Sequence, residues 1–115
     1  MFKNLTKPYL IAEIGINHNG DIDIAKRLID AAFATQWDSV KFQKRNPDVC
    51  VPEDQKKIKR TTPWGEMDYI DYKHKIEFGK KEYDEINNYC LQKKLDWSAS
   101  VWDYDSLDFL INNYK

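Results

Sequence analysis

The sequence is poor in the residues that build disulfide frameworks and metal cages. It holds two cysteines, Cys50 and Cys90, and two histidines, His18 and His74, and none of them stands at metal-ligand spacing. The cysteines read as reduced thiols of a cytosolic protein. Long apolar runs are missing as well. Nothing approaches the roughly 18 residues that cross a bilayer, and residues 1–8 lack the apolar stretch of a secretory signal. A cytoplasmic protein with no membrane partner is therefore expected. Charge of one sign is missing too: 18 basic residues stand against 19 acidic ones, net −1, so no overall field favours nucleic acid. Glycine and proline number four each, and no repeat, low-complexity segment or linker interrupts the chain. What the sequence does have is ring surface. Aromatics make up 14% of its 115 residues, which suits buried or pocket-lining positions. That length is ordinarily one domain.

The apolar pattern alternates between two periods. Tyr9 to Ile14 is a short, nearly continuous apolar run broken only by Glu13, which predicts a strand buried on both faces. A turn-rich loop follows, Gly15 to Asp21, with Asp21 placed to cap a helix. Ile22, Ala25, Leu28, Ile29 and Ala32 then form a helical stripe. Ser39 to Gln43 reads as a second strand, completing a strand-helix-strand unit. Asn46 to Pro63 shows no period and is expected as a loop, either a functional lid or a poorly ordered segment. Its basic stretch, Lys56, Lys57, Lys59 and Arg60, is a solvated surface or the rim of an anion site. A helix is expected within Trp64 to Ile76, with Thr61 to Gly65 as its entry or as a lip over a ligand. A stronger helix is predicted over Lys80 to Lys93, with Tyr83, Ile86 and Cys90 inward. Leu95 to Val101 is a third strand. Asp105 to Tyr114 is a last helix with Leu107, Leu110, Ile111 and Tyr114 along one face, capped by Asp103 or Asp105.

This order predicts an α/β fold of three parallel strands with crossover helices. Three strands cannot close a (β/α)8 barrel. An open three-stranded sheet leaves an edge unpaired, so a fragment is expected; the family resemblance given below implies that it is the N-terminal portion of a TIM barrel, incomplete, with residues 1–8 as an extension and residues 9–115 as the partial barrel domain.

Side chains alternate faces along a strand. Leu10, Ala12 and Ile14 share one face, as do Val40 with Phe42, and Trp97 with Ala99 and Val101. Glu13, Lys41, Gln43, Ser98 and Ser100 fall on the opposite face, toward the C-terminal ends where barrel enzymes keep their active sites. A Lys and a Glu on one such face either pair to hold two strands together, or Lys41 and the serines bind a phosphate or carboxylate. His18 reads as a surface or hydrogen-bonding residue and His74 as solvated.

Several stretches resemble one family. Ile11-Ala12-Glu13-Ile14-Gly15-Ile16-Asn17-His18-Asn19-Gly20-Asp21 is similar to the opening strand and loop of N-acetylneuraminate (sialic acid) synthases. Val40-Lys41-Phe42-Gln43 is similar to their second strand, and Trp97 to Asp103 to their third. Thr62 to Met67 and Tyr69 to Lys73 resemble the loop and helix of a bacterial subgroup. The resemblance implies condensation of phosphoenolpyruvate with an N-acetylated hexosamine such as N-acetylmannosamine, giving a nonulosonic acid and phosphate. By matched position, Lys41 and Ser100 would hold phosphoenolpyruvate and Gln43 would face the sugar. Glu13 would be the catalytic acid, moving a proton or orienting a hydroxyl. The resemblance further implies a divalent metal (manganese or magnesium) as Lewis acid, with ligands outside this chain, and a homodimer. One departure is Thr35-Gln36-Trp37-Asp38, where relatives have a glycine-containing helix stop. A non-catalytic barrel fragment acting as a binding module is the alternative reading.

Overall fold

The computed structural model describes residues 6–115. Strand β1 (Ile11–Gly15) leads into helix α1 (Ile22–Ala34), strand β2 (Ser39–Lys44) and a short helix α2 (Pro47–Cys50). After a single 3-10 turn come a hairpin, β3 (Lys59–Thr62) and β4 (Gly65–Asp68), and helices α3 (Tyr69–Ile76) and α4 (Lys80–Lys93). Strand β5 (Asp96–Val101) and helix α5 (Tyr104–Asn113) complete the order. β1, β2 and β5 form one three-stranded sheet with β2 central and both pairings parallel.

Local chemistry explains the elements that hold this sheet. Asp21 caps α1 as expected, its Oδ1 accepting from the backbone N–H of Asp23 at 2.8 Å and of Ile24 at 3.2 Å. α1 stops without glycine. Gln36 takes the left-handed conformation (φ 63°), its N–H donates to the carbonyl of Phe33, and the N–H of Trp37 donates to that of Ala32. This closure is normally a glycine's, and a side chain there costs about 1 kcal/mol. α4 begins at Gly79, whose N–H donates to the Glu82 carboxylate at 3.0 Å.

The core lies between the sheet and helices α1 and α4. Val40 and Phe42 on β2, Ala25 and Ile29 on α1, and Ile86 and Cys90 on α4 are fully buried, and Tyr83 is nearly so. Tyr83, Ile86 and Cys90 are the inward residues that the sequence predicts for α4. Burial pushes the Cys90 thiol up to about 12, and both cysteines are free.

Several expectations are corrected. β1 is an edge strand, and only Ile14 and Gly15 in it are buried. Residues 46–63 are not a bare loop, since they contain α2, the 3-10 turn and β3. Thr61 to Gly65 is not a helix entry but the tip of the hairpin. Thr62 Oγ1 accepts from the N–H of Trp64 at 3.2 Å and donates to the Gly65 carbonyl at 2.6 Å. The basic stretch there is largely tied to its neighbours: Lys56 to Glu53 at 2.6 Å, and Lys59 to Asp68 at 2.8 Å. α5 turns only part of the expected face inward, the part that holds Tyr114. Phe109 and Tyr114 pack on the core and Ser106 is buried, while Leu107 and Ile111 are exposed. The Tyr114 ring meets Trp97 edge-on at 5.3 Å and Tyr83 at 6.3 Å. That aromatic cluster fixes the rotation of the helix more strongly than its aliphatic stripe does.

Candidate functional site

β2 alternates strictly about the sheet. Val40 and Phe42 point into the helix-packed core, and Lys41 and Gln43 occupy the open face. The register sets their neighbours: Glu13 stands beside Lys41, Ser98 beside Lys41 on the other side, and Ser100 beside Gln43. Glu13, Lys41, Gln43 and Ser100 therefore share one face of three adjacent parallel strands.

Glu13 and Lys41 form an ion pair, Nζ to Oε2 at 2.6 Å, with side chains 46% and 37% exposed. A pair this wet contributes little to stability, about 0–1 kcal/mol. The β1–β2 register shifts between Glu13 and Gly15, so that Gly15 lies opposite Phe42. Gly15 has φ +58°, and a Cβ there would meet Glu13 Oε1 at 3.2 Å and Gln43 Nε2 at 3.5 Å. The left-handed backbone favours glycine at this position, and the acid and the amide both lean into the space a side chain would take.

The first loop presses back onto the fold. Of the two readings of His18, surface or hydrogen-bonding, the structure shows the second: it is buried, 2% exposed. Its ring stacks on Phe78 with centroids 3.9 Å apart, and its Nδ1 accepts from the N–H of Gly20 at 3.0 Å. Burial lowers its pKa to about 4, opposed by a backbone hydrogen bond with Gly15, so the imidazole is neutral near pH 7 and structural. His74 is half exposed and meets Asp48 at 2.8 Å rather than water alone.

Sequence reasoning missed Arg45 and Glu77. Arg45 continues the open-face row of Lys41 and Gln43 one step past β2, and the spacing i, i+2 is the signal that could have found it. It is buried, 6% exposed. One guanidinium nitrogen donates to Gln43 Oε1. Glu77, from the α3–α4 link, accepts the backbone N–H of Arg45 at 3.0 Å and faces its Nε at 4.0 Å. Burial pushes the Glu77 carboxyl above its ordinary range, opposed by Lys44 and Arg45. Asp103 ties the ends of β2 and β5 together, accepting from the N–H of Asn46 at 2.6 Å and of Ser106 at 2.7 Å. Arg45 also lines a cleft of about 410 Å³ with Lys44, Glu77, Phe78, Ser106 and Phe109, and none of the four expected site residues is in its walls.

Among the described residues, no group of three or more His, Cys, Asp or Glu stands close enough to hold a metal ion. The one acid of the open face is engaged by a lysine. These residues do not by themselves make the divalent-metal site that the resemblance implies, and no step below passes through a metal. No helix among the described residues is long and apolar enough to cross a membrane.

A parallel sheet, helix-packed on one face and carrying a Lys, a Glu, an amide and hydroxyls on the other, has the layout of the inner face of a (β/α) barrel. The chain matches the NeuB family over residues 28–115, and it belongs to that family. The matched span includes Lys41, Gln43 and Ser100 and begins after Glu13. The chain is 35% identical over 106 residues to the N-acetylneuraminate-9-phosphate synthase of Mus musculus, covering 89% of this chain and 29% of that protein. It is 30% identical over 108 residues to the N,N'-diacetyllegionaminic acid synthase of Campylobacter jejuni, covering 92% and 32%. The crystal structure of an N-acetylneuraminic acid synthetase from Leptospira borgpetersenii, in complex with citrate, superposes with a TM-score of 0.77 at 26% identity. That superposition covers 97% of this chain and 37% of the other. The fold is that of part of a TIM barrel, and the chain spans about three tenths of the curated relatives it matches.

Proposed function

We propose that residues 9–115 supply the first three strands of the active site of a nonulosonic-acid synthase. The substrates are phosphoenolpyruvate and an N-acetylated hexosamine such as N-acetylmannosamine. C3 of phosphoenolpyruvate bonds to the aldehyde carbon of the open-chain sugar, water adds at C2, and phosphate leaves with cleavage of its C–O bond. One observation carries the reading: Glu13, Lys41, Gln43 and Ser100 converge on the open face of three adjacent parallel strands.

Lys41 supplies the charge and Ser100 a hydroxyl for the phosphate or carboxylate oxygens of phosphoenolpyruvate. An anion arriving at Lys41 competes with Glu13 for the ammonium. The carboxylate it frees is then available to take a proton or to orient a sugar hydroxyl beside Gln43. A divalent cation, manganese or magnesium, would supply Lewis-acid polarisation of the aldehyde when bound. A homodimer and a cytoplasmic location belong to the same reading.

The test is a chimera in which this chain replaces the segment it matches in the Leptospira synthetase. It is assayed for phosphate release and for nonulosonic acid by mass spectrometry. Product is expected, and Lys41→Ala should raise the KM for phosphoenolpyruvate at least about tenfold, the value of one lost charged contact. A folded chimera that releases no phosphate with any N-acetylated hexosamine overturns the reading. Unchanged kinetics in Lys41→Ala removes Lys41 from the site.

A further inference from the structure

We infer that Arg45 is a positioning residue that locks the Gln43 carboxamide so that it offers only N–H donors to the ligand. The inference rests on the reading of Gln43 as a ligand-facing residue.

A free glutamine amide can turn over, presenting a donor or an acceptor to whatever lies before it. Gln43 cannot do so here. An arginine guanidinium carries donors and no acceptor, so the amide must set its oxygen against Arg45, as the hydrogen bond to Oε1 shows. Reversal would put donor against donor in a buried position and leave both unpaired.

Arg45 is itself held at its backbone and against an aromatic ring, while its buried Nε makes no hydrogen bond. Glu77 holds its backbone N–H at 3.0 Å and faces its Nε at 4.0 Å. The guanidinium lies 4.6 Å from the centre of the Trp102 ring. The backbone of Gln43 is anchored as well, its carbonyl accepting from the Tyr83 hydroxyl at 3.0 Å. Both ends of the amide's lever are therefore held. Nε2 is left near the point where a Gly15 Cβ would stand, on the side of Glu13 Oε1.

The consequence is one of selectivity. The site presents Nε2–H donors next to a carboxylate acceptor, so the ligand atom that meets Gln43 is an acceptor oxygen: a carbonyl, ether or hydroxyl lone pair. A ligand offering only a donor at that position is disfavoured, because the nitrogen it meets carries donors alone and Oε1 is turned toward Arg45. Lysine at position 45 would keep one donor without the planar fork, and so would hold the amide only in part.

Two readouts separate this inference from the reading beneath it. In the isotope-labelled chain, Arg45→Met should move the carbonyl carbon signal of the Gln43 side chain and leave those of Gln36, Gln55 and Gln92 in place. A Gln43 signal that does not move overturns the lock, whatever the catalytic result. In the chimera, Arg45→Met should raise the KM for the hexosamine about tenfold with kcat changed less than twofold. Arg45→Lys should recover part of that loss. In a Gln43→Ala background the Arg45 substitution should add less than twofold. Equal losses in both backgrounds would show a structural role for Arg45 and overturn the inference. A moved carbonyl signal with hexosamine KM unchanged in Arg45→Met and in Gln43→Ala would instead remove Gln43 from the site, and the lock's role in recognition with it.

Discussion

The two faces of β2 are opposite in character. Val40 and Phe42 are fully buried between α1 and α4. Their immediate neighbours Lys41 and Gln43 stand on an open face, where the Glu13–Lys41 pair is more than a third exposed on both sides. One face gains its free energy from apolar area removed from water. The other gains almost nothing from its contacts and keeps its polar groups available. Stability and chemistry are thus divided by a period of two residues, and a substitution on either face should disturb mainly one of them.

The largest break in that comparison is expected from Phe42→Ala. Truncating a fully buried phenylalanine costs about 3–5 kcal/mol, a large fraction of the roughly 5–15 kcal/mol that holds an ordinary domain folded. Urea denaturation measures it, and a loss under about 1 kcal/mol would show that the helix-packed face is not the core. Next comes His18. Its folded pKa is lowered to about 4 from 6.5, so its contribution is present above pH 6.5 and is lost as pH falls through about 4. Denaturation at pH 7 and pH 4, with wild type set against His18→Phe, should show the wild type losing about 3 kcal/mol more. A smaller effect of opposite sign is expected from Gln36→Gly. It removes the left-handed strain and gains up to about 1 kcal/mol, part of which is offset by the freer unfolded chain. Thermal denaturation suffices, and a destabilised variant would mean that the Gln36 side chain makes an unrecognised contact. The smallest change sharpens the comparison. Lys41→Ala should shift stability by less than about 1 kcal/mol, read by urea denaturation, while the same substitution in the chimera raises the KM for phosphoenolpyruvate at least about tenfold.

The alternation of strands and helices was legible because each element buries one face. α4 is the clearest case, with its bounds and its three inward residues all readable from the 3.6-residue period. The hairpin β3–β4 was not legible for the converse reason. β3 is exposed along nearly all its length and β4 along half of its own, so no apolar alternation marks either strand. The inward face of α5 was misread in part because aliphatic spacing and aromatic packing disagree there, and the rings around Tyr83 decide. For the site, Glu13, Lys41, Gln43 and Ser100 share a face by strand parity, which the sequence states directly. Their chemical roles are not fixed by parity and stay with the proposal above. Arg45 was within reach of the same parity, one step past β2, but Glu77 was hidden because its meeting with Arg45 depends on how the α3–α4 link folds back over the end of β2, a tertiary fact that no local pattern encodes. The burial of His18 was missed for a similar reason, since Phe78, its stacking partner, comes from that same distant link.

The guanidinium that lies over Trp102 gives the molecule a built-in optical reporter. Indole emission responds to a cation held against its ring, and Trp102 is more than half exposed, so its light is easily collected. With Trp37, Trp64 and Trp97 replaced by phenylalanine, the remaining colour and intensity would follow the seating of one arginine. Occupancy of the neighbouring amide could then be watched in real time without a coupled assay or a labelled substrate.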